Sequence, residues 1–71
     1  MTFKEARVRA GLTQREAAEK LGITNAAISM WESGKNSPRF KRIKELAALY
    51  GVAVSDIMED VDNDDQRDQG K

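Results

Sequence analysis

Apolar residues along the first part of the chain recur in short stripes at helical spacing, each bounded by Gly, Ser, Thr or Pro. Phe3, Ala6 and Ala10 predict a first helix from about Thr2 to Ala10, stopped by Gly11, with Leu12 beneath the turn. Thr13-Gln14-Arg15-Glu16 has the form of a capping box, in which the threonine hydroxyl accepts from the glutamate amide and the glutamate reaches back. The second helix then runs to Leu21, with Ala17, Ala18 and Leu21 inward and Gly22 as its left-handed stop. Gly22, Ile23 and Thr24 separate it from the third helix, for which Thr24 is a good N-cap. That helix is expected from Asn25 to about Ser33, ended by Gly34. Ala27, Ile28 and Trp31 face inward; Ala26, Ser29, Met30 and Ser33 face outward, with Asn25 exposed near the start.

After a loop at Lys35 to Ser37, Ser37-Pro38 reads as the N-cap and first residue of a fourth helix. Its buried stripe is predicted to be Phe40, Ile43, Leu46, Ala47 and Tyr50, and Gly51 ends it. Ser55 is expected to cap a short fifth helix that ends near Glu59 and carries Ile57 and Met58. No internal repeat and no alternating strand pattern is present. The expected fold is all-α, a compact bundle of four to five short helices in one domain, residues 1–59. From Asp60 onward Val61 is the sole apolar residue, so residues 60–71 are expected to form an acidic disordered tail. Asp60, Asp62 and Asp64 alternate as in a calcium loop. Asp65, however, stands where that loop needs Gly, and Lys71 where it needs a bidentate Glu.

With 71 residues there is room for a single domain, and neither Cys nor His is present. That removes disulfides, the commonest general base and the commonest metal ligand. There is also no Gly-rich phosphate loop and no convergent carboxylate set, so neither an enzyme nor a metal or cofactor site is expected. No apolar run approaches a membrane span, so a soluble, cytoplasmic protein is expected. The net charge of zero conceals a division. Residues 1–59 hold ten Lys or Arg against seven Asp or Glu, a balance of +3, and residues 60–71 hold five Asp against two bases, a balance of −3. Bases gather at Lys35, Arg39, Lys41, Arg42 and Lys44; on charge alone, a solvated face explains them well enough.

Two short helices joined by a three-residue turn containing Gly form a compact angular unit. Ala17 and Ala18 are small enough for close approach, and Ile23 suits the corner. In helix-turn-helix proteins the second helix of such a unit enters the major groove. The turn by itself fits a plain helical bundle equally well.

Further residues tip that balance. Arg7, Gly11-Leu12-Thr13-Gln14, Ala18, Leu21-Gly22-Ile23-Thr24, Ile28-Ser29, Trp31-Glu32, Gly34, Pro38, Leu46-Ala47 and Tyr50-Gly51-Val52 stand in register over about residues 3–59. In these segments the sequence resembles the Cro and phage-repressor (XRE) family of helix-turn-helix proteins. The resemblance implies a lambda-repressor-like domain that binds double-stranded DNA as a transcriptional regulator, a repressor, in a prokaryotic or phage-encoded, nucleoid-associated setting. It also implies residue roles. Arg7 and Glu32 match an internal ion pair. Lys35 and Asn36 match phosphate-contacting positions, and Gln14 matches a position at the start of the second helix that contacts phosphate or a base. Thr24, Asn25, Ala26 and Met30 match base-contacting positions, with Ser29 on the same face.

The chemistry suits those roles. Lys, Gln and helix N-termini donate to phosphate oxygens. Asn makes a two-point contact with adenine, and Ala26 and Met30 offer apolar contact to a thymine methyl. One such domain makes few base contacts. A homodimer on a pseudo-palindromic operator is therefore expected, joined through the fourth and fifth helices and the start of the tail by Val52, Val54, Ile57, Met58 and Val61. Trp31, Phe3, Phe40 and Tyr50 are expected to pack in the core rather than stack on bases. The alternative is an antitoxin or adaptor that uses the same fold for protein interaction; salt-sensitive duplex binding separates the two.

Overall fold

Local capping chemistry sets the first three helices. A computed structural model describes residues 1–58 and places α1 at Phe3–Arg9, α2 at Gln14–Leu21, α3 at Asn25–Ser33, α4 at Phe40–Tyr50 and α5 at Val54–Ile57. Among the described residues there is no strand. Before α1, the Glu5 amide donates to Thr2 Oγ1 at 3.0 Å and the Thr2 amide to Glu5 Oε1 at 2.9 Å. Thr13 and Glu16 repeat this arrangement at α2. At α3 the Ala27 amide donates to Thr24 Oγ1 at 3.1 Å. Such caps satisfy amides that the helix itself leaves open, each contributing about 1 kcal/mol. The predicted boundary at residue 59, the acidic segment 60–71 and Val61 lie outside the described residues.

The core is drawn from every helix. Phe3, Ala6, Ala17, Ala18, Ile28, Ile43, Leu46, Ala47, Tyr50 and Ile57 are buried, with Leu12, Leu21, Ile23 and Trp31 packed around them. Ala17 and Ala18 bring α2 against α3 and α4, so the helix pair that forms the candidate site stands on a solid base.

Three expectations need correction. Ala10 is exposed, because α1 stops at Arg9 and its third apolar position never reaches the core. The fourth helix begins at Phe40 and not at Pro38. Arg39 is its N-cap, with φ −73° and ψ 161°, and Phe40 is 57% exposed where burial was expected. Pro38 is buried in its place. Pro38 and Ile43 then occupy the two positions of a hydrophobic staple, and that choice turns Phe40 outward. Its ring lies beneath the Lys44 ammonium, 5.5 Å from the centroid. Finally, α5 starts one residue before Ser55, with Ala53 at its N-cap. The Ala53 amide donates to Asp56 Oδ2 at 3.1 Å, half of a capping box, since a methyl group accepts nothing.

Candidate nucleic-acid interface

The α2–turn–α3 unit closes through backbone bonds. The Ile23 amide donates to the Ala18 carbonyl at 3.0 Å and the Gly22 amide to the Glu19 carbonyl at 3.2 Å, the two bonds of a Schellman motif. This geometry requires a left-handed residue, and Gly22 has φ +73°. The half-buried Ile23 packs against the core at the corner. The chain then enters α3 through the Thr24 cap, so the angle between the helices is fixed within three residues.

The unit is also clamped from α1. Arg7 Nε donates to Glu32 Oε2 at 2.7 Å, Arg7 Nη2 to Glu32 Oε1 at 3.2 Å, and Arg7 Nη1 to the Leu12 carbonyl at 2.9 Å. The side chains are 10% and 6% exposed. This is a two-point, charge-assisted pair between helices, with the third donor holding the loop that leads into α2. The hydrogen bond to Glu32 raises the Arg7 pKa further above its ordinary value. Tyr50 is pushed up to about 12, first by burial and then by the Glu32 charge, with Arg7 partly offsetting both.

Gln14 joins the same cluster: its Nε2 donates to Glu32 Oε1 at 3.0 Å. Sequence reasoning placed Gln14 toward phosphate or a base and gave no sign of this bond, which crosses 18 positions. The base-contacting candidates Thr24, Asn25, Ala26, Ser29 and Met30 are all exposed, Met30 at 37%. Thr24 caps α3, and the other four lie in its N-terminal two-thirds. Glu32, with Gln14 attached, lies at the other end of a helix about 13 to 14 Å long. Lys35 and Asn36 follow that end, exposed and without side-chain partners among the described residues.

The expected basic cluster divides. Lys35, Arg39, Lys41 and Lys44 are exposed. Arg42 is half-buried; its Nη1 donates to Glu45 Oε1 at 2.6 Å and to the Leu21 carbonyl at 3.4 Å, tying α4 to the end of α2. Glu45, three residues on, was the one sequence signal of that inward role. Among the described residues, no group of His, Cys, Asp and Glu is placed to hold a metal ion, and no helix is long and apolar enough to cross a membrane.

Comparison with known proteins agrees with this geometry. The chain is 37% identical over 64 residues to the HTH-type transcriptional regulator PuuR of Escherichia coli, covering 90% of this chain and 35% of PuuR. It is 33% identical over 56 residues to the HTH-type transcriptional activator BcrR of Enterococcus faecalis, covering 79% of this chain and 28% of BcrR. It is 29% identical over 58 residues to the cryptic phage CTXphi transcriptional repressor RstR of Vibrio cholerae, covering 82% of this chain and 52% of RstR. The chain thus spans about a third of PuuR and about half of RstR. No solved structure matches it. The family pattern described as helix-turn-helix matches residues 3–57, from the first residue of α1 to the last of α5. With the capped α2–turn–α3 unit at the centre of that match, the chain belongs to the helix-turn-helix family.

Proposed function

We propose that this chain binds double-stranded DNA with α3 in the major groove and acts as a transcriptional regulator, repressing by occupying its operator. The observation that carries this reading is the solvent-facing row Thr24, Asn25, Ala26, Ser29 and Met30 on a helix whose angle is fixed at both ends. Asn25 and Ser29 supply hydrogen bonds to base edges, and Ala26 and Met30 supply apolar contact. Lys35 and Asn36 reach phosphates beyond the end of α3, and Gln14 does so from the start of α2. Names among the relatives support regulation of transcription. They include both an activator and a repressor, so repression rests on the simpler physical requirement: a bound domain blocks a promoter without a further contact surface. The setting that goes with this reading is the prokaryotic cytoplasm, at the nucleoid.

A homodimer on DNA belongs to the same reading, with half-sites about 34–36 Å apart. Its face is narrower than the sequence suggested. Ile57 is fully buried in the core and has no side chain to offer a partner. Among the described residues Val52, Val54 and Met58 remain, each half-buried.

Selection of bound sequences from a random duplex pool tests the whole reading. The expected result is an enriched motif with two-fold symmetry, bound with an affinity that falls steeply as salt rises. Selection that enriches nothing, with binding insensitive to salt, overturns it and favours the adaptor or antitoxin reading.

A further inference from the structure

The Arg7–Glu32 pair by itself accounts for stability. It does not account for the third hydrogen bond on Glu32, which comes from a side chain at the first residue of α2, on the DNA-facing edge proposed above. We propose that Glu32 is a positioning residue for Gln14, presetting its amide as a hydrogen-bond donor to a phosphate of duplex DNA. This rests on the DNA-binding reading.

The orientation of the amide follows from chemistry. A carboxylate only accepts, so the nitrogen and not the oxygen of Gln14 must face Glu32. One Nε2 hydrogen is used at 3.0 Å, which leaves the second for another acceptor. The Glu32 oxygen involved, Oε1, also receives Arg7 Nη2 at 3.2 Å, so it is itself held in place. The backbone of Gln14 is fixed on the side where the chain enters. Thr13 and Glu16 bond reciprocally around it at 2.9 and 3.0 Å, and Arg7 Nη1 holds the Leu12 carbonyl two residues earlier at 2.9 Å. Backbone and side chain are thus both set before any DNA arrives. Glutamine has much rotamer freedom to lose on binding. Sparing that loss strengthens binding by roughly two- to tenfold.

This role differs from a structural one in what it predicts. If Glu32 serves stability alone, the contribution of Gln14 to DNA binding is independent of it. If Glu32 positions Gln14, the two are coupled. Replacing both members of the pair, Arg7→Met with Glu32→Met, removes the acceptor without leaving a buried charge, a change that small domains often tolerate.

Two measurements on the full chain decide the matter. The first uses no DNA: the side-chain amide of Gln14 is followed by NMR. A restrained amide in the wild type, released in the Arg7→Met/Glu32→Met variant, is expected. A wild-type amide as mobile as a free glutamine overturns the positioning role, whether or not the double variant folds. The second is a mutant cycle on a duplex selected by the protein from a random pool. Gln14→Ala is expected to weaken binding roughly two- to tenfold in the wild type and by less than about twofold in the double-variant background. An equal factor in both backgrounds overturns the proposal. Failure of the wild type to bind any duplex overturns the DNA reading itself. A mobile amide with intact DNA binding overturns the positioning role alone.

Discussion

Arg7 is the residue whose burial needs most explanation, because a guanidinium is costly to take out of water. It is 8% exposed, and its contacts to Glu32 and Leu12 direct donors from all three of its nitrogens at acceptors. Removing the carboxylate leaves a buried cation without its partner, at a cost of about 3–5 kcal/mol. Glu32→Ala is therefore expected to lower the Tm by more than about 10 °C in a domain of this size, as read by thermal denaturation. An unchanged melting curve contradicts the buried pair. Tyr50 reports on the same cluster from the other side. It is the one tyrosine in the chain, so the tyrosinate absorbance reads it alone. Burial and the Glu32 charge hold its pKa at about 12, above the ordinary value of 10. A raised pKa means that the phenol's contribution to stability is complete below pH 10 and is lost as the pH climbs towards 12. Titration of the native protein is expected to show tyrosinate appearing well above pH 10, and titration in denaturant to show it at the ordinary value. Identical curves contradict the burial of the ring.

At the scale of elements, α4 shows where pattern reading reaches its limit. A Ser-Pro step starts a helix at proline when proline is the first helical residue, and two residues later when proline is the outer half of a staple. The choice depends on whether the core accepts Pro38 or Phe40, which is a tertiary fact. Here it accepts Pro38. Phe40→Ala is accordingly expected to cost less than about 1 kcal/mol, against the 3–5 kcal/mol of a core phenylalanine, measured by denaturant unfolding. A core-sized loss contradicts the outward ring. By contrast, α2, the turn and α3 were readable to the residue, because their signals are local: Thr13 with Glu16, Gly22 after Leu21, Thr24 before Asn25. The Arg7–Glu32 pairing crosses 25 positions and no periodicity encodes it; it was visible through the family resemblance alone. The bond from Gln14 to Glu32 was invisible by either route. Function at this scale is tested on α3 and the loop after it. Asn25→Ala is expected to cost about 1–3 kcal/mol on a selected duplex and to relax preference at one base pair. Lys35→Ala is expected to weaken all duplexes alike and to reduce the salt slope by about one. If the two changes act equally on selected and scrambled duplexes across a salt series, α3 is not reading sequence.

At the scale of the whole molecule, the charge is divided more sharply than its sum suggests. The first 59 residues carry +3 and the last twelve −3, so a chain of zero net charge still presents a basic body to a polyanion. Lys35, Arg39, Lys41 and Lys44 are exposed on that body. Asp62, Asp64, Asp65 and Asp68 follow it in the sequence and repel the same phosphates that these bases attract. Like any surface electrostatic effect, this opposition acts over about 10 Å at 0.1 M salt and over less as salt rises. Deleting residues 61–71 is expected to tighten binding to random duplex at low salt, with the gain fading as salt increases. The Tm is expected to change little, since among the described residues a buried core already runs from Phe3 to Ile57. Fluorescence anisotropy on a labelled random duplex, alongside a melting curve, reads both quantities. The two must move independently. If deletion lowers the Tm and weakens binding together, the acidic segment supports the fold. If the tightening survives at high salt, its cause is not charge. If only the low-salt affinity rises, the acidic segment limits attachment to DNA of arbitrary sequence and leaves readout to α3.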